Sequence, residues 1–301
     1  MRKILIVGGD SVLGRALSCK LNGAGDVRAI RTTRRKENLS GSALWLDLCE
    51  PETFSIPEGI DTAIVCAHFG GVSSAEENPD LTRNINVTNM IRLMDRFVHE
   101  GIRIVYFSTN LVYDGSAPSQ GPSSGYAPLC EHGRQKLAVQ EQVKSYGASG
   151  TVLQSTKIIH PDLPLAKAWI EQLSANKSVD AVEDMVLSPV WISQFIEIAA
   201  QLVLDKVSGE FSWSGKDQVT YYEMAKHLAV GLGKDPGRVR PIKAENVMSD
   251  PAFLPRFVTL DCSRLSRLLG REPQISSEVF DRLIGSLAAS DSLARARNGE
   301  H

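Results

Sequence analysis

The feature that most restricts the fold is an apolar run that leads directly into a glycine-containing turn. Residues 4–7 read Ile-Leu-Ile-Val, which is typical of a strand buried on both faces of a sheet. Gly8, Gly9 and Gly14 lie in the turn that follows, and residues 11–22 have the spacing of a helix. Strand, tight turn and helix in this order indicate a parallel α/β sheet whose first turn can approach a ligand closely.

The rest of the chain repeats this alternation. Short apolar runs predict strands, and longer amphipathic segments predict helices at 81–100 and 131–146. The predicted strands cover residues 27–30, 43–46, 62–67, 102–107 and 151–154. Strands separated by helices pair in parallel through right-handed crossovers, so we expect a Rossmann-type, doubly wound parallel sheet.

Prolines become frequent after Pro161, where the strand–helix rhythm weakens. We therefore expect two domains. Residues 1–160 and 186–208 are predicted to form a dinucleotide-binding domain. Residues 161–185 and 209–301 are predicted to form a smaller C-terminal lobe that binds the substrate.

Composition narrows the function. The 33 basic and 35 acidic residues of this 301-residue chain give a net charge of -2, which offers no electrostatic footprint for nucleic acid. The five cysteines form no C-x-x-C pair, which argues against a disulfide framework or a zinc knuckle. No apolar run is long enough to cross a membrane, so we expect a cytoplasmic protein. His68, His99, His160 and His227 lack metal-ligand spacing, so no metal is expected and these four are predicted to be surface or packing residues.

The first turn predicts a phosphate site. A helix that starts directly after a glycine turn offers free N–H groups and the positive end of its dipole to a pyrophosphate. The candidate residues are Gly8, Ser11, Val12, Leu13 and Gly14. Ser11 stands where a G-x-x-G-x-x-G pattern has its middle glycine, and a serine hydroxyl can donate to a phosphate. The alternative is a tight turn that binds nothing.

The end of the second predicted strand favours NADP(H) over NAD(H). An acidic residue at this place would bond the adenosine ribose of NAD, but the sequence reads Arg31-Thr32-Thr33-Arg34-Arg35. Arg31 and Arg34 are the candidates for contact with a 2′-phosphate, since guanidinium groups bind phosphates through charge-assisted bonds. The alternative is a solvated loop.

Two further segments carry a family resemblance. The strand at 102–107 is followed by S-T-N-L-V-Y-D-G, and residues 128–138 read P-L-C-E-H-G-R-Q-K-L-A. In this order they resemble the extended short-chain dehydrogenase/reductase family. The most similar branch contains the dTDP-4-dehydrorhamnose reductases and related epimerases and dehydratases. The resemblance extends over nearly the whole chain.

The resemblance implies NADP(H) and a nucleotide-sugar or related keto substrate, together with a role for several residues. Thr109 would polarise the substrate oxygen, and Lys136 would hold the nicotinamide ribose. The other implied cofactor contacts are Asp47, Leu48, Cys66 and Ala67. Arg256 is a candidate substrate-binding residue. No arginine follows the sixth predicted strand, where the family usually has one, and Lys157 is a candidate there because it could supply a compensating charge for a substrate phosphate. The alternative for Lys157 is an exposed residue without such a role. Helices equivalent to 81–100 and 131–146 often pair in this superfamily, which makes a homodimer an open possibility.

One departure bears directly on catalysis. His132 occupies the position of the family's catalytic tyrosine, four residues before Lys136 and therefore on the same helical face. A neighbouring ammonium should hold the pKa of the imidazole at or below about 6.5. Three alternatives follow: an atypical reductase, a catalytically silent NADP-binding regulator or scaffold, and an epimerase or dehydratase. Tyr113 and Tyr126 are weaker candidates for a substitute acid.

Overall fold

The computed structural model describes the backbone of residues 1–247 and 255–297 and the side chains of these ranges through residue 287. Within them the strands are β1 (Arg2–Val7), β2 (Val27–Thr33), β3 (Ala43–Trp45), β4 (Ile60–Val65), β5 (Arg103–Thr109), β6 (Gly150–Ser155), β7 (Ile158–Ile159), β8 (Val179–Val182), β9 (Val186–Leu187), β10 (Val190–Trp191), β11 (Gly209–Trp213), β12 (Val219–Thr220) and β13 (Val239–Ile242). The α-helices are α1 (Val12–Asn22), α2 (Val72–Glu77), α3 (Pro79–Arg83), α4 (Met90–His99), α5 (Glu131–Ser145), α6 (Pro164–Ser174), α7 (Ile192–Leu204), α8 (Tyr221–Gly231), α9 (Ser263–Leu269) and α10 (Ser276–Arg297).

Seven strands form one sheet in the order β11-β6-β5-β4-β1-β2-β3. β1 pairs in parallel with both β2 and β4, and β5 continues in parallel from β4 to β6. The predicted doubly wound α/β fold is thus confirmed. The chain runs outward from β1 to β3 and then returns to β4, so the strand order reverses between β1 and β4. A crevice at the carboxyl ends of these two strands is where such sheets bind ligands.

The sheet core lies between these strands and α4 and α5. Met90, Leu93, Met94 and Phe97 of α4 are completely or almost completely buried. The predicted helix at 81–100 is helical through His99, but it contains a π-helical segment, Asn84–Asn89, between α3 and α4. The wider turn buries the polar side chains of Asn86 and Asn89, and π-segments of this kind are frequent at functional sites.

The chain divides into two compact units. The first consists of Met1–Asp114, Gly121–Ser155 and Ser193–Ser212, and it contains the large sheet. The second consists of Gly115–Gln120, Thr156–Ile192 and the described residues from Trp213 onward. Its core collects buried side chains from α6, α8 and α10 around three two-stranded ladders, β7–β10, β9–β12 and β8–β13.

The unit boundaries differ from the predicted segments in four places. Two of these are Gly115–Gln120 and residues 156–160, which lie in the second unit. Residues 186–192 lie in the second unit, because β10 pairs with β7 there. Residues 209–212 lie in the first unit, because β11 joins the edge of the large sheet beside β6. A search of the described residues for a helix with the length and apolarity of a membrane span finds none.

Candidate functional site

The turn after β1 is built so that only glycine fits at two positions. Gly8 has φ +85°, and a Cβ there would lie 2.6 Å from the backbone nitrogen of Ala67. A Cβ at Gly14 would lie 2.5 Å from the carbonyl oxygen of Gly8. The turn, the start of α1 and the loop after β4 are therefore in backbone contact. Such a cradle leaves no side chain between a ligand and the first amides of the helix.

Ser11 caps α1. Its hydroxyl donates to the carbonyl of Gly8 at 2.8 Å and accepts from the amide of Gly14 at 3.0 Å. The single hydroxyl hydrogen is thus engaged within the turn, which leaves Ser11 no hydrogen to donate to a phosphate in this arrangement. Val12 and Leu13 are the first two residues of α1. The first N–H groups of a helix have no acceptor within the helix.

A cleft of about 410 Å³ lies at the carboxyl ends of β1, β2 and β4. It brings together seven of the residues predicted to hold the cofactor. These are Gly8, Ser11, Arg34, Asp47, Leu48, Cys66 and Ala67. The glycine cradle, the helix start and the strand-end position together fit the phosphates and the adenosine half of a dinucleotide.

Two arginines line the cleft at the end of β2. Arg34 and Arg35 line the cleft and are exposed, and the Arg34 guanidinium lies 5.8 Å from the centroid of the Phe69 ring. Arg31 is not among the lining residues, because its side chain packs against Gly9. Arg35 is therefore a stronger candidate than Arg31 for a phosphate contact.

Sequence reasoning missed an acid at the same place. The Asp10 carboxylate accepts from the Thr33 hydroxyl and, at 3.0 Å, from the Asn38 amide. These two hydrogen bonds join the glycine turn, which carries Asp10, to the end of β2 and the loop after it. The sequence around β2 contains no sign of it, because Asp10 belongs to the preceding turn.

Lys136 and Thr109 lie at the carboxyl end of β5. The Lys136 ammonium donates to the carbonyl of Phe107 at 3.0 Å and lies 4.9 Å from the centroid of the Tyr106 ring. Burial lowers the pKa of Lys136 to about 8. Thr109 Oγ1 accepts from the amide of Leu111 at 3.2 Å and caps the short turn after the strand.

His132 is paired with a residue that was predicted to be a packing or surface residue, His68. His68 Nε2 and His132 Nδ1 are 3.2 Å apart, and the ring planes are inclined by 73°. Burial, followed by the charge of Lys136, lowers the pKa of His132 to about 4. Burial and the charge of Lys136 also lower the pKa of His68, with a smaller contribution from His132. His68 thus packs against the candidate acid and also lines the cleft, a placement that the prediction from the sequence did not include.

A network fixes the loop that carries His68. The Asn86 side chain accepts from the amide of Phe69 at 2.8 Å and donates to its carbonyl at 3.0 Å. Asn86 also donates to Gln135 of α5 at 3.1 Å. The π-segment, the loop after β4 and α5 are thus linked around the histidine pair. The available signal was positional, since His68 follows β4 as Thr109 ends β5 and the ends of parallel strands share one edge.

The two alternative tyrosine acids are engaged elsewhere. The Tyr113 hydroxyl donates to Gln154 at 2.9 Å, and the Tyr126 hydroxyl donates to Glu210. Burial raises the pKa of both phenols above the ordinary range. Neither is suited to proton donation near neutrality.

The candidate substrate residues Lys157 and Arg256 belong to the second unit, and both are exposed. The backbone carbonyl of Lys157 accepts from Val190, and the Arg256 guanidinium lies 5.2 Å from the centroid of the Phe257 ring. Across the described residues, no group of three or more metal-ligating side chains comes together.

Comparison with known proteins places the chain in context. It is 26% identical over 292 residues to the methionine adenosyltransferase 2 subunit beta of Bos taurus, covering 89% of this chain and 82% of that protein. It is 25% identical over 264 residues to a dTDP-4-keto-6-deoxy-D-glucose reductase of Streptomyces niveus, covering 85% and 87%.

Solved structures share the fold. A dTDP-4-dehydrorhamnose reductase of Yersinia enterocolitica superposes with a TM-score of 0.81 at 20% identity, covering 95% of this chain and 99% of that one. One from Bacillus anthracis, in complex with NADP, gives a TM-score of 0.78 at 19% identity, with the same coverage. The model of the RmlD substrate binding domain matches residues 1–287. With that match extending over almost the whole chain, this protein belongs to the RmlD substrate binding domain family.

Proposed function

We propose that this protein is an NADP-dependent reductase that acts on the keto group of a sugar nucleotide. The observation that carries the proposal is the pairing of His132 and Lys136 on one helical turn of α5. The Lys136 ammonium donates a hydrogen bond to the Phe107 carbonyl near the end of β5. His132 contacts His68, which lines the cleft beside the glycine turn. The relatives named as dTDP-sugar reductases support the substrate class.

The residues that would hold NADP(H) follow from the cleft. The amides of Val12 and Leu13 and the Gly8–Gly14 cradle suit the pyrophosphate. Asp47 and Leu48 would contact the adenine, and Arg34 with Arg35 would contact the 2′-phosphate. Cys66, Ala67 and Lys136 would lie along the nicotinamide half.

When bound, NADPH supplies the hydride for the carbonyl carbon. The protein must then polarise the carbonyl oxygen and give it a proton. The Thr109 hydroxyl donates to Asn110 Oδ1 at 3.5 Å, a long bond that a substrate oxygen could replace as the acceptor. His132 is the proton donor, and the Lys136 charge stabilises the developing alkoxide.

A second candidate is a catalytically silent NADP-binding subunit. It is favoured by the loss of the family's tyrosine at His132 and by several relatives that are named as a subunit of another enzyme. In that case NADP would bind in the same cleft without turnover.

Turnover of keto sugar nucleotides separates the two candidates. We expect the wild type to oxidise NADPH with a dTDP-4-keto-6-deoxy sugar. His132→Phe should lower kcat by roughly 10²–10⁴-fold, the usual effect of losing a general acid, with NADPH affinity unchanged. His132→Tyr restores the family's pair with Lys136 and should retain or gain rate. If neither the wild type nor His132→Tyr turns over while both bind NADPH, the silent subunit is the correct alternative.

A cytoplasmic location and a homodimer stay predictions from the sequence. Size-exclusion chromatography with light scattering tests the second of them.

A further inference from the structure

The contact between His68 and His132 needs an explanation that packing alone does not supply. Two ring nitrogens 3.2 Å apart form a hydrogen bond only if one carries a hydrogen and the other does not. Two imidazolium rings would direct two N–H groups at each other. The pair must therefore hold a bare nitrogen at the shared bond.

Charge selects the fully neutral state of the pair. Lys136, on α5, is charged and acts on both rings, and His132 is in addition a titratable neighbour of His68. The nearby Cys66 thiol is kept protonated by burial, which raises its pKa to about 12. The Glu131 carboxylate, next in sequence to His132, is engaged by Arg83 and Arg134. A cation with no free anion beside the rings disfavours protonation of either one.

A neutral pair has two tautomeric arrangements. In the first, His68 Nε2–H donates to His132 Nδ1, which leaves His132 Nε2 protonated and His68 Nδ1 bare. In the second, His132 Nδ1–H donates to His68 Nε2, which leaves His132 Nε2 bare and His68 Nδ1 protonated. Conversion of the first into the second releases one proton at His132 Nε2 and takes up one at His68 Nδ1.

We propose that His68 and His132 form a neutral two-histidine proton relay that replaces the missing phenol. The inference rests on the proposed reductase function and deepens it. The His132 Nε2–H bond breaks as an O–H bond forms on the reduced carbonyl oxygen. The His68 Nε2 proton moves to His132 Nδ1, and a water molecule gives a proton to His68 Nδ1 and leaves as hydroxide. Charge and atoms balance, and neither ring becomes an imidazolium or an imidazolate.

The structure prepares His68 for this role. His68 lines the cleft, which gives its ring a route to water. Asn86 holds the backbone of the next residue, Phe69, by two hydrogen bonds, and a third bond from Asn86 to Gln135 joins the π-segment to α5. The loop therefore keeps its place beside α5 through Asn86. The Asn86 amide hydrogens are already directed at Phe69 and Gln135, and its 3.4 Å contact with His68 therefore leaves the relay nitrogen free to exchange its proton. His68 is in these terms a positioning residue that acts through His132.

Two substitutions separate proton relay from simple support. His68→Gln keeps an N–H donor beside His132 Nδ1 but cannot pass a proton on, and His68→Phe keeps a ring without nitrogen. His99→Gln is the matched control, because His99 is exposed at the end of α4. The first measurement uses the protein without cofactor, labelled with ¹⁵N-histidine, so that nitrogen shifts report tautomer and charge.

We expect both rings of the pair to be neutral from pH 5.5 to 8 and to exchange between the two tautomers. In His68→Gln, His132 should become fixed with its hydrogen on Nε2, while His99→Gln should leave the pair unchanged. An imidazolium at either position at pH 7, or a His132 spectrum that is the same in His68→Phe as in the wild type, would overturn the relay.

The second measurement is turnover in mixtures of H₂O and D₂O. The wild type should show three protons in transit, and His68→Gln one, with kcat lowered roughly tenfold or more and the Kd for NADPH unchanged. Equal kcat and an equal isotope response in the two proteins overturn the relay and leave the reductase standing. If the wild type reduces no keto sugar, the proposed function fails, and the relay fails with it even if the spectra show the tautomer exchange.

Discussion

Among single residues, Lys136 matters most to the proposed site, because of its positive charge. Burial lowers its pKa to about 8, so the ammonium is lost within an accessible pH range. A lysine loses its charge as the pH rises through its pKa, and the neutral amine no longer stabilises an alkoxide. We therefore expect kcat/KM to fall as the pH rises through about 8.

Lys136→Arg supplies the comparison for this profile. An arginine stays charged throughout the range, so any activity the variant retains should be flat up to about pH 10. Binding of NADPH, followed by fluorescence at each pH, separates lost affinity from lost chemistry. A wild-type profile that stays level to pH 10 would contradict the role of the ammonium.

Some properties of the site residues could be predicted from the sequence, and others could not. The spacing of His132 and Lys136 on a helix predicts a shared face, and the ammonium predicts the direction of the His132 pKa. Burial, the larger cause, follows only from the packing of α5. His68 and Asp10 were missed because each meets its partner through a loop, and loop geometry does not follow from periodicity.

At the scale of elements, the position of α5 is set by one glycine. Gly133 follows His132, and a Cβ there would overlap the carbonyl oxygen of Leu111 and lie 3.0 Å from both its carbonyl carbon and Pro128. Because the obstacle is mostly backbone, Gly133→Ala must push α5 away from the turn after β5. We expect unfolding midpoints in urea to report a loss of about 1–3 kcal/mol, and turnover to fall further because His132 moves.

Gly41→Ala is the control for that substitution. No atom lies within 4 Å of a Cβ at Gly41, and its φ is not in the left-handed region. The change should alter stability by less than about 0.5 kcal/mol. Equal stability of the two variants would show that α5 accommodates the extra methyl group.

The elements themselves were largely predictable. Apolar runs of the large sheet match β1, β2, β4, β5 and β6, since strands buried on both faces leave a continuous apolar signal. The π-segment Asn84–Asn89 was not predictable, because its apolar spacing remains that of a helix. β11 was missed as well, since Gly209–Trp213 alternates polar with aromatic residues and joins the sheet only at its edge.

For the whole molecule, the interleaving of the two units was only partly predictable. After β6 the chain leaves the first unit at Ser155, and it returns to that unit for residues 193–212. Ser193 begins this return inside α7, a helix with seven buried residues, whereas the predicted return began at residue 186. Pairing of β10 with β7 keeps that intervening segment in the second unit, and strand pairing between distant segments has no local signal.

All the residues proposed to hold the cofactor belong to the first unit. We therefore expect cofactor binding to stabilise the first unit. A ligand at 100 times its Kd adds about 2.7 kcal/mol to the stability of the unit that binds it. We expect NADPH at this level to raise the Tm of that unit by about 5–10 °C.

The size of this shift also tests cofactor preference. Arg34 and Arg35 favour a 2′-phosphate, while the Asp10 carboxylate beside them opposes it but is already bonded to Thr33 and Asn38. Two cations against one engaged anion should leave NADPH at least tenfold tighter than NADH, which corresponds to about 1.4 kcal/mol. Arg34→Ala combined with Arg35→Ala should bring the NADPH shift down to that of NADH. Arg28→Ala, an exposed substitution on β2 outside the cleft, should preserve the difference. An NADH shift in the wild type equal to that of NADPH would mean that Asp10 outweighs both arginines and that the cleft does not select NADP.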